Sequence, residues 1–315
     1  MKTTSAPGPF RIAASVLLIF AAVLLAGSLS GCRGGLFGLG TVAATDDMGR
    51  EVKLPRRLQR IVSLSPANTE ILFAVGAGEQ MAGIDAYSNY PAETAAIAKV
   101  GDYSQVSAEA VVALKPDAVL ASSIHRQLVE QLETLGTKVL VVEPATFEAL
   151  YNDIAMVGRI TGHDEQAASV IQEMKTKLAA VADKLKGLAA ADRPVVWYEV
   201  WDAPLMSAGP GTYINNVIDL AGGVNLAKDT ETDWPEISPE FVVASDPDVI
   251  IWPSYEGAAE LTAARLSERP GWANISAVTE GRIYSIDADI ISRGGPRLAD
   301  AVQAMARLLH PDLFR

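Results

Sequence analysis

Residues Ser107 to Leu120, Ser-Ala-Glu-Ala-Val-Val-Ala-Leu-Lys-Pro-Asp-Ala-Val-Leu, return 131 positions later as Ser238 to Ile251, Ser-Pro-Glu-Phe-Val-Val-Ala-Ser-Asp-Pro-Asp-Val-Ile-Ile. Seven of the fourteen positions are identical: the Ser, the Glu, the Val-Val-Ala run and the Pro-Asp pair. What recurs is a helix start, an apolar helix face and a break from helix into strand. A single recurrence at so long a period argues for a duplicated lobe, because a solenoid needs several copies at shorter spacing. Two lobes imply a cleft.

The segments around the repeat follow one grammar. Arg60-Ile-Val-Ser-Leu-Ser65 reads as a short buried strand, Pro66 to Thr69 as a turn into a helix, and Gly76 as that helix's C-terminal stop. Strands are expected near Met81–Ile84, Ala118–Ala121 and Lys138–Val142, with a helix from His125 to Leu135. The second half repeats the pattern with a strand at Pro194–Val200, a helix at Tyr213–Leu220, a strand at Gly281–Ile286 and a closing helix at Pro296–Leu309. Strands that alternate with helices imply a mostly parallel sheet covered on both faces, so each lobe is a Rossmann-like α/β sandwich. Between the lobes, residues 164–188 have few helix breakers, and Val170, Ile171, Met174, Leu178, Val181 and Leu185 recur at helical spacing. This spacing predicts one helix of about 25 residues, roughly 37 Å long. The expected organisation is a leader at 1–31, a tether at 32–45, a first lobe at 46–162, a linking helix at 163–190 and a second lobe at 191–315.

The leader carries Lys2 and Arg11 ahead of an apolar run, and it ends in Leu29-Ser30-Gly31-Cys32. That tetrapeptide resembles the bacterial lipobox, which implies removal of residues 1–31 and lipidation of Cys32, the chain's one cysteine. A lone cysteine has no internal disulfide partner. Loss of Lys2 and Arg11 takes the formal charge from −12 to −14, which excludes nucleic acid as an expected partner. Residues 33–45 are rich in Gly and Ala and read as a flexible tether of about 20 Å. Lipid, rather than an acidic protein face, is then what holds the membrane.

The repeated Glu109 and Glu240 admit two readings. A carboxylate in a helix's first turn meets the positive end of the helix dipole, and two such carboxylates, one per lobe, could also grip a two-fold symmetric partner. Ile61-Val-Ser-Leu-Ser-Pro-Ala-Asn-Thr-Glu70, Tyr87-Ser-Asn-Tyr-Pro91, Leu114-Lys-Pro-Asp117, Trp234-Pro-Glu-Ile-Ser238 and Ser292-Arg-Gly-Gly-Pro-Arg297 together resemble the cobalamin-type substrate-binding lipoproteins of ABC importers. These share a class built on one linking helix with siderophore and haem binders. The resemblance spans nearly all of residues 45–315. It implies that Glu109 and Glu240 dock on arginines of a dimeric permease served by an ATPase, and that the chain acts as a monomer. It also implies ligand contacts from aromatic residues at Tyr87, Tyr103 and Trp234 and from polar Asp289 and Arg293. Trp201, in a second-lobe loop, joins that set, and so does Leu205, since Leu205 or Met206 stands where one member of the family has phenylalanine.

Tyr87, Tyr103 and Trp234 sit in loops rich in Gly, Ser or Pro, where an aromatic supplies area and a polar tip to a large ligand. Haem through an axial tyrosine and a ferric siderophore remain open as ligands beside cobalamin or a related corrinoid. A metal-only site is disfavoured, because His125, His163 and His310 are scattered and read as surface residues. No catalytic residue, cofactor or resident metal is expected. The competing class, a secreted hydrolase, lacks both a Gly-x-Ser-x-Gly elbow and a loop histidine to serve as base.

Overall fold

The computed structural model describes residues 40–255 and 260–315; the expected leader and Cys32 lie outside the described residues. Strands β1 (Thr41–Thr45) and β2 (Glu51–Pro55) form a two-stranded sheet. The tether expectation is therefore corrected at its C-terminal end. Thr-Val-Ala-Ala-Thr alternates, burying Ala44, and the Asp46 carboxylate closes the following turn by accepting the N–H groups of Met48 and Arg50.

The first lobe runs β3 (Ile61–Ser63), α1 (Pro66–Ala74), β4 (Met81–Ile84), α2 (Ala108–Ala113), β5 (Ala118–Ala121), α3 (Arg126–Thr134), β6 (Val139–Val141) and α4 (Phe147–Thr161). Its sheet is parallel in the order β4-β3-β5-β6. Alternate strand residues feed opposite layers: Ile61, Leu120 and Leu140 face one core, and Val62, Val119 and Val141 face another beneath α2 and α3.

The linking helix α5 (Asp164–Lys184) follows. It has 21 residues, shorter than the expected 25, and spans about 31 Å. Ala167, Met174 and Val181, spaced by seven, are its buried residues. Gly158 on α4 is what admits the helix so closely, since a Cβ there would lie 2.4 Å from the Ala167 Cβ.

The second lobe comprises β7 (Val195–Tyr198), a short hairpin of β8 (Trp201–Asp202) and β9 (Leu205–Met206), α6 (Tyr213–Leu220), β10 (Val224–Asn225), α7 (Pro239–Ser245), β11 (Val249–Ser254), α8 (Ala263–Ser267), α9 (Ser276–Thr279), β12 (Ile283–Asp287), α10 (Ala288–Ile291) and α11 (Leu298–Leu309). Its main sheet is parallel in the order β10-β7-β11-β12. In both sheets the first strand lies between the second and the third, with the fourth outermost, so the duplication extends to topology. One core cluster runs from β3 and α1 through α5 to β7, β11 and α11.

The sequence repeat has a structural counterpart residue by residue. Ser107 and Ser238 cap α2 and α7, each accepting an N–H three residues on at 3.1 Å. Val111 and Val242 are both fully buried. Lys115 (φ 48°) and Asp246 (φ 45°) occupy equivalent left-handed positions at the ends of the two helices. Asp117 then accepts the N–H groups of Gln59 (2.7 Å) and Arg60 (2.9 Å), while Asp248 accepts that of Val195 (2.7 Å). The repeated Pro-Asp pair thus ties the helix-to-strand break to the start of each lobe's first parallel strand.

Candidate functional site

A cavity of ≈ 1070 Å³ opens between the lobes. Its walls are the segments leaving the carboxyl ends of the parallel strands. Ser65 follows β3, Tyr87 follows β4, Ser122 follows β5 and Glu143 follows β6. Tyr255 and Asp289 follow β11 and β12 from the other side. Open α/β sheets place ligands at this edge, where the chain leaves the first strand toward opposite sides.

Tyr103 is held from three directions. Its hydroxyl lies 3.2 Å from the Ser122 hydroxyl, its ring meets His125 edge to face at 5.4 Å, and its carbonyl accepts the His125 Nε2–H at 2.6 Å. The Ser122 N–H donates to His125 Nδ1 at 3.1 Å, which fixes the ring as the neutral Nε2–H tautomer. His125 is therefore a buried positioning residue and not the surface histidine its place before a helix implies. His310 is likewise buried, its Nε2 3.2 Å from the Gly222 carbonyl. Burial, reinforced by the charges of Glu143 and Asp85, raises the Tyr103 pKa and keeps the phenol protonated.

The polar floor joins the lobes. Glu70 of α1, with its side chain 2 % exposed, receives Arg293 Nη1 at 2.9 Å and a two-pronged contact from Arg297 at 2.8 and 2.6 Å. Arg293 also donates to Asp289 at 2.6 Å, and Asn89 donates to the other Asp289 oxygen at 3.0 Å. Arg297 stacks on the Tyr90 ring, 4.1 Å from its centroid. Among the described residues, the charged side chains that line the cavity are Glu143, Asp287, Asp289 and Arg293. Three carboxylates thus face one guanidinium that is already paired.

Of the residues expected from sequence, Tyr87, Tyr103, Asp289 and Arg293 line this cavity. Arg293 differs from its expected role as an open ligand donor, because its guanidinium is committed to Glu70 and Asp289. Leu205 is corrected: it is 8 % exposed and packs with Trp197 and Val242 in the second lobe's core, since β9 turns it inward. Trp201 and Trp234 are exposed and are not among the lining residues. They sit on neighbouring segments of the second lobe, as Trp201 pairs with Met206, which bridges to Glu236, two residues from Trp234. Glu143, Asp287 and Tyr213 line the cavity without having been singled out from sequence. Glu143 and Asp287 carried a usable signal, an acidic residue at the carboxyl end of a parallel strand. Tyr213, whose hydroxyl donates to the Ser292 carbonyl at 2.9 Å, read only as the start of a helix.

Glu109 and Glu240 are exposed first-turn residues of α2 and α7. Glu109's own backbone N–H and the Ser107 hydroxyl hold its carboxyl below the usual range. Among the described residues, no helix is long and apolar enough to cross a membrane.

Residues 61–290 match the family described as periplasmic binding protein. The chain is 33% identical over 280 residues to an uncharacterized ABC transporter substrate-binding lipoprotein, YvrC, of Bacillus subtilis, covering 87% of each chain. It is 30% identical over 276 residues to a cobalamin-binding protein of Halobacterium salinarum, covering 85% of this chain and 74% of that one. Among solved structures it resembles the periplasmic heme-binding protein RhuT of Roseiflexus sp. RS-1, with a TM-score of 0.71 and 26% identity over 81% of this chain and 99% of that one.

Proposed function

The chain belongs to the periplasmic binding protein family, with the two-lobed, single-linking-helix architecture of ABC-importer substrate-binding proteins, and from that premise we propose that it captures a corrinoid in the interlobe cleft. The observation that carries this reading is a cavity that is at once large, tyrosine-walled and acidic. At ≈ 1070 Å³ it sits at the upper end of the roughly 300–1,000 Å³ typical of small-ligand sites, as a macrocycle requires. A corrin's neutral amide arms find partners in Asn89, Asp289, Glu143 and the serine hydroxyls. Tyr87 and Tyr103 supply flat area to the ring, and Trp201 and Trp234 add rim contacts to parts of the ligand that project from the cavity.

Haem is the second reading, favoured by the likeness to a heme-binding protein. Two features weigh against it. Haem propionates would meet carboxylates and an arginine already neutralised, and burial disfavours a Tyr103 phenolate as an axial ligand. A ferric siderophore, being anionic, meets the same obstacle.

Delivery completes the proposal. Glu109 and Glu240, one per lobe on equivalent helix starts, present carboxylates to arginines of a permease dimer, a geometry suited to bidentate pairing. Cys32 carries the lipid that holds the protein outside the cytoplasmic membrane. The direct test incubates purified protein with cyanocobalamin, haemin and a ferric tricatecholate, desalts, and records spectra. Corrin absorbance is expected to stay with the protein. Retention of the haem or chelate spectrum alone overturns the ligand assignment.

A further inference from the structure

Glu70 stands outside the cleft wall, yet it controls the cleft's charge. Arg293, which lines the cleft, and Arg297, which lies with Glu70 and Tyr90 on the wall of a second, smaller cavity, both terminate on the Glu70 carboxylate. Glu70 is 2 % exposed at its side chain, against 11 % for Arg293 and 20 % for Arg297, so the carboxylate lies behind the arginines with the cleft in front of Arg293. Without Glu70, Arg293 would keep one carboxylate, the part-exposed Asp289, and a long 3.5 Å contact to the Tyr87 carbonyl, and Arg297 would keep only the Asp289 carbonyl and the Tyr90 ring. The floor would then turn from neutralised to cationic, in a partly desolvated place where a single charge acts strongly.

We infer that Glu70 is the specificity-determining residue that excludes anionic chelates: by occupying both arginines from behind, it leaves the cleft, among the described residues, with carboxylates and no free cation. This rests on the proposed ligand site and adds to it a cause for discrimination between neutral or cationic macrocycles and anionic ones. Specificity of this kind comes from the repulsive element as much as from the attractive one. A purely structural role for Glu70 would alter stability without altering which charge class is bound.

The test compares binding of a ferric tricatecholate trianion with binding of cyanocobalamin, by tryptophan quenching, in the full chain and in two variants. Glu70→Gln keeps the shape and some hydrogen bonds. E70M/R297M replaces the buried pair by apolar groups of similar volume, an exchange that folded proteins often tolerate. Each folded variant is expected to bind the trianion about tenfold more tightly than the parent, with the gain weakening as salt rises and vanishing in E70Q/R293Q. A folded variant that gains nothing, or a gain that survives removal of Arg293, overturns the proposal. So does failure of both variants to fold, which assigns Glu70 a structural role. Trianion binding by the unaltered chain would instead overturn the corrinoid reading, so the two failures are separable.

Discussion

Asp153, on α4, is 6 % exposed, and its Oδ2 has no hydrogen-bond partner among the described residues. Burial, and then the charge of Asp47, push its pKa up to about 8 from an ordinary 3.8. Asp47 is raised as well, again chiefly by burial. The native state therefore holds a proton that the unfolded chain releases above pH 4, and stability is lost as pH climbs toward 8. His310 acts with the opposite sign. Burial lowers its pKa below an ordinary 6.5, so its cost appears only as pH falls. Between pH 7 and 8, where the unfolded chain's His310 is mostly neutral as well, the Asp153–Asp47 pair dominates these two opposing contributions. Urea unfolding there should show parental stability falling by up to about 1.4 kcal/mol per pH unit, and Asp153→Asn should flatten the slope. Equal slopes would mean that Asp153 is ionised in the native state. Nothing in the sequence marks this residue, because an aspartate in a helix reads as solvated until tertiary packing covers it. The same blindness applies to His125 and His310, whose burial depends on Tyr103 and Gly222, far away in sequence.

The duplicated element was the most legible part of the fold, because each of its identical residues acts locally, as a cap, a buried face or a strand anchor. The shared strand order was not legible, since it depends on pairings between segments that carry no mutual signature. The linking helix shows a subtler limit. Leu185 continues its apolar spacing, yet the helix ends at Lys184 and Leu185 packs instead against Gly222 of the second lobe, where a Cβ would meet it at 3.1 Å. Periodicity reports burial and not the element that provides it. The anchors yield a prediction that separates the two copies. Asp117 accepts two backbone N–H groups and Asp248 one, and hydrogen bonds to a charged acceptor contribute about 1.5–3 kcal/mol where water is excluded and less where they are exposed. Asp117→Ala should therefore destabilise by about 1–3 kcal/mol and by more than Asp248→Ala. Chemical denaturation of the two variants decides it, and a larger loss at Asp248 would show that the duplicated geometry does not govern the energetics.

At the scale of the whole chain, loops at strand ends made Tyr87, Tyr103, Asp289 and Arg293 readable as cleft residues. Leu205 was misplaced because its hairpin turns inward, and the pairing of Arg293 was invisible because Glu70 lies 223 residues away. Charge organises what these residues do together. The chain's formal charge is −12, so the proposed docking asks a permease to answer with cations and the two lobes to present Glu109 and Glu240 to it as a pair. The linking helix and the shared core give the lobes one frame, and docking as proposed requires that frame to hold Glu109 and Glu240 in a constant relation. If they are the docking points, reversing both, E109K/E240K, should lower vesicle uptake by the cognate importer at least about tenfold, as loss of two charge-assisted contacts implies. Each single reversal should cost less. Because the substituted residues stand at exposed helix starts away from the cavity lining, retention of ligand by the variant measures whether the loss lies in docking or in capture. Undiminished uptake by the double variant would return both glutamates to the simpler role of first-turn partners of a helix dipole.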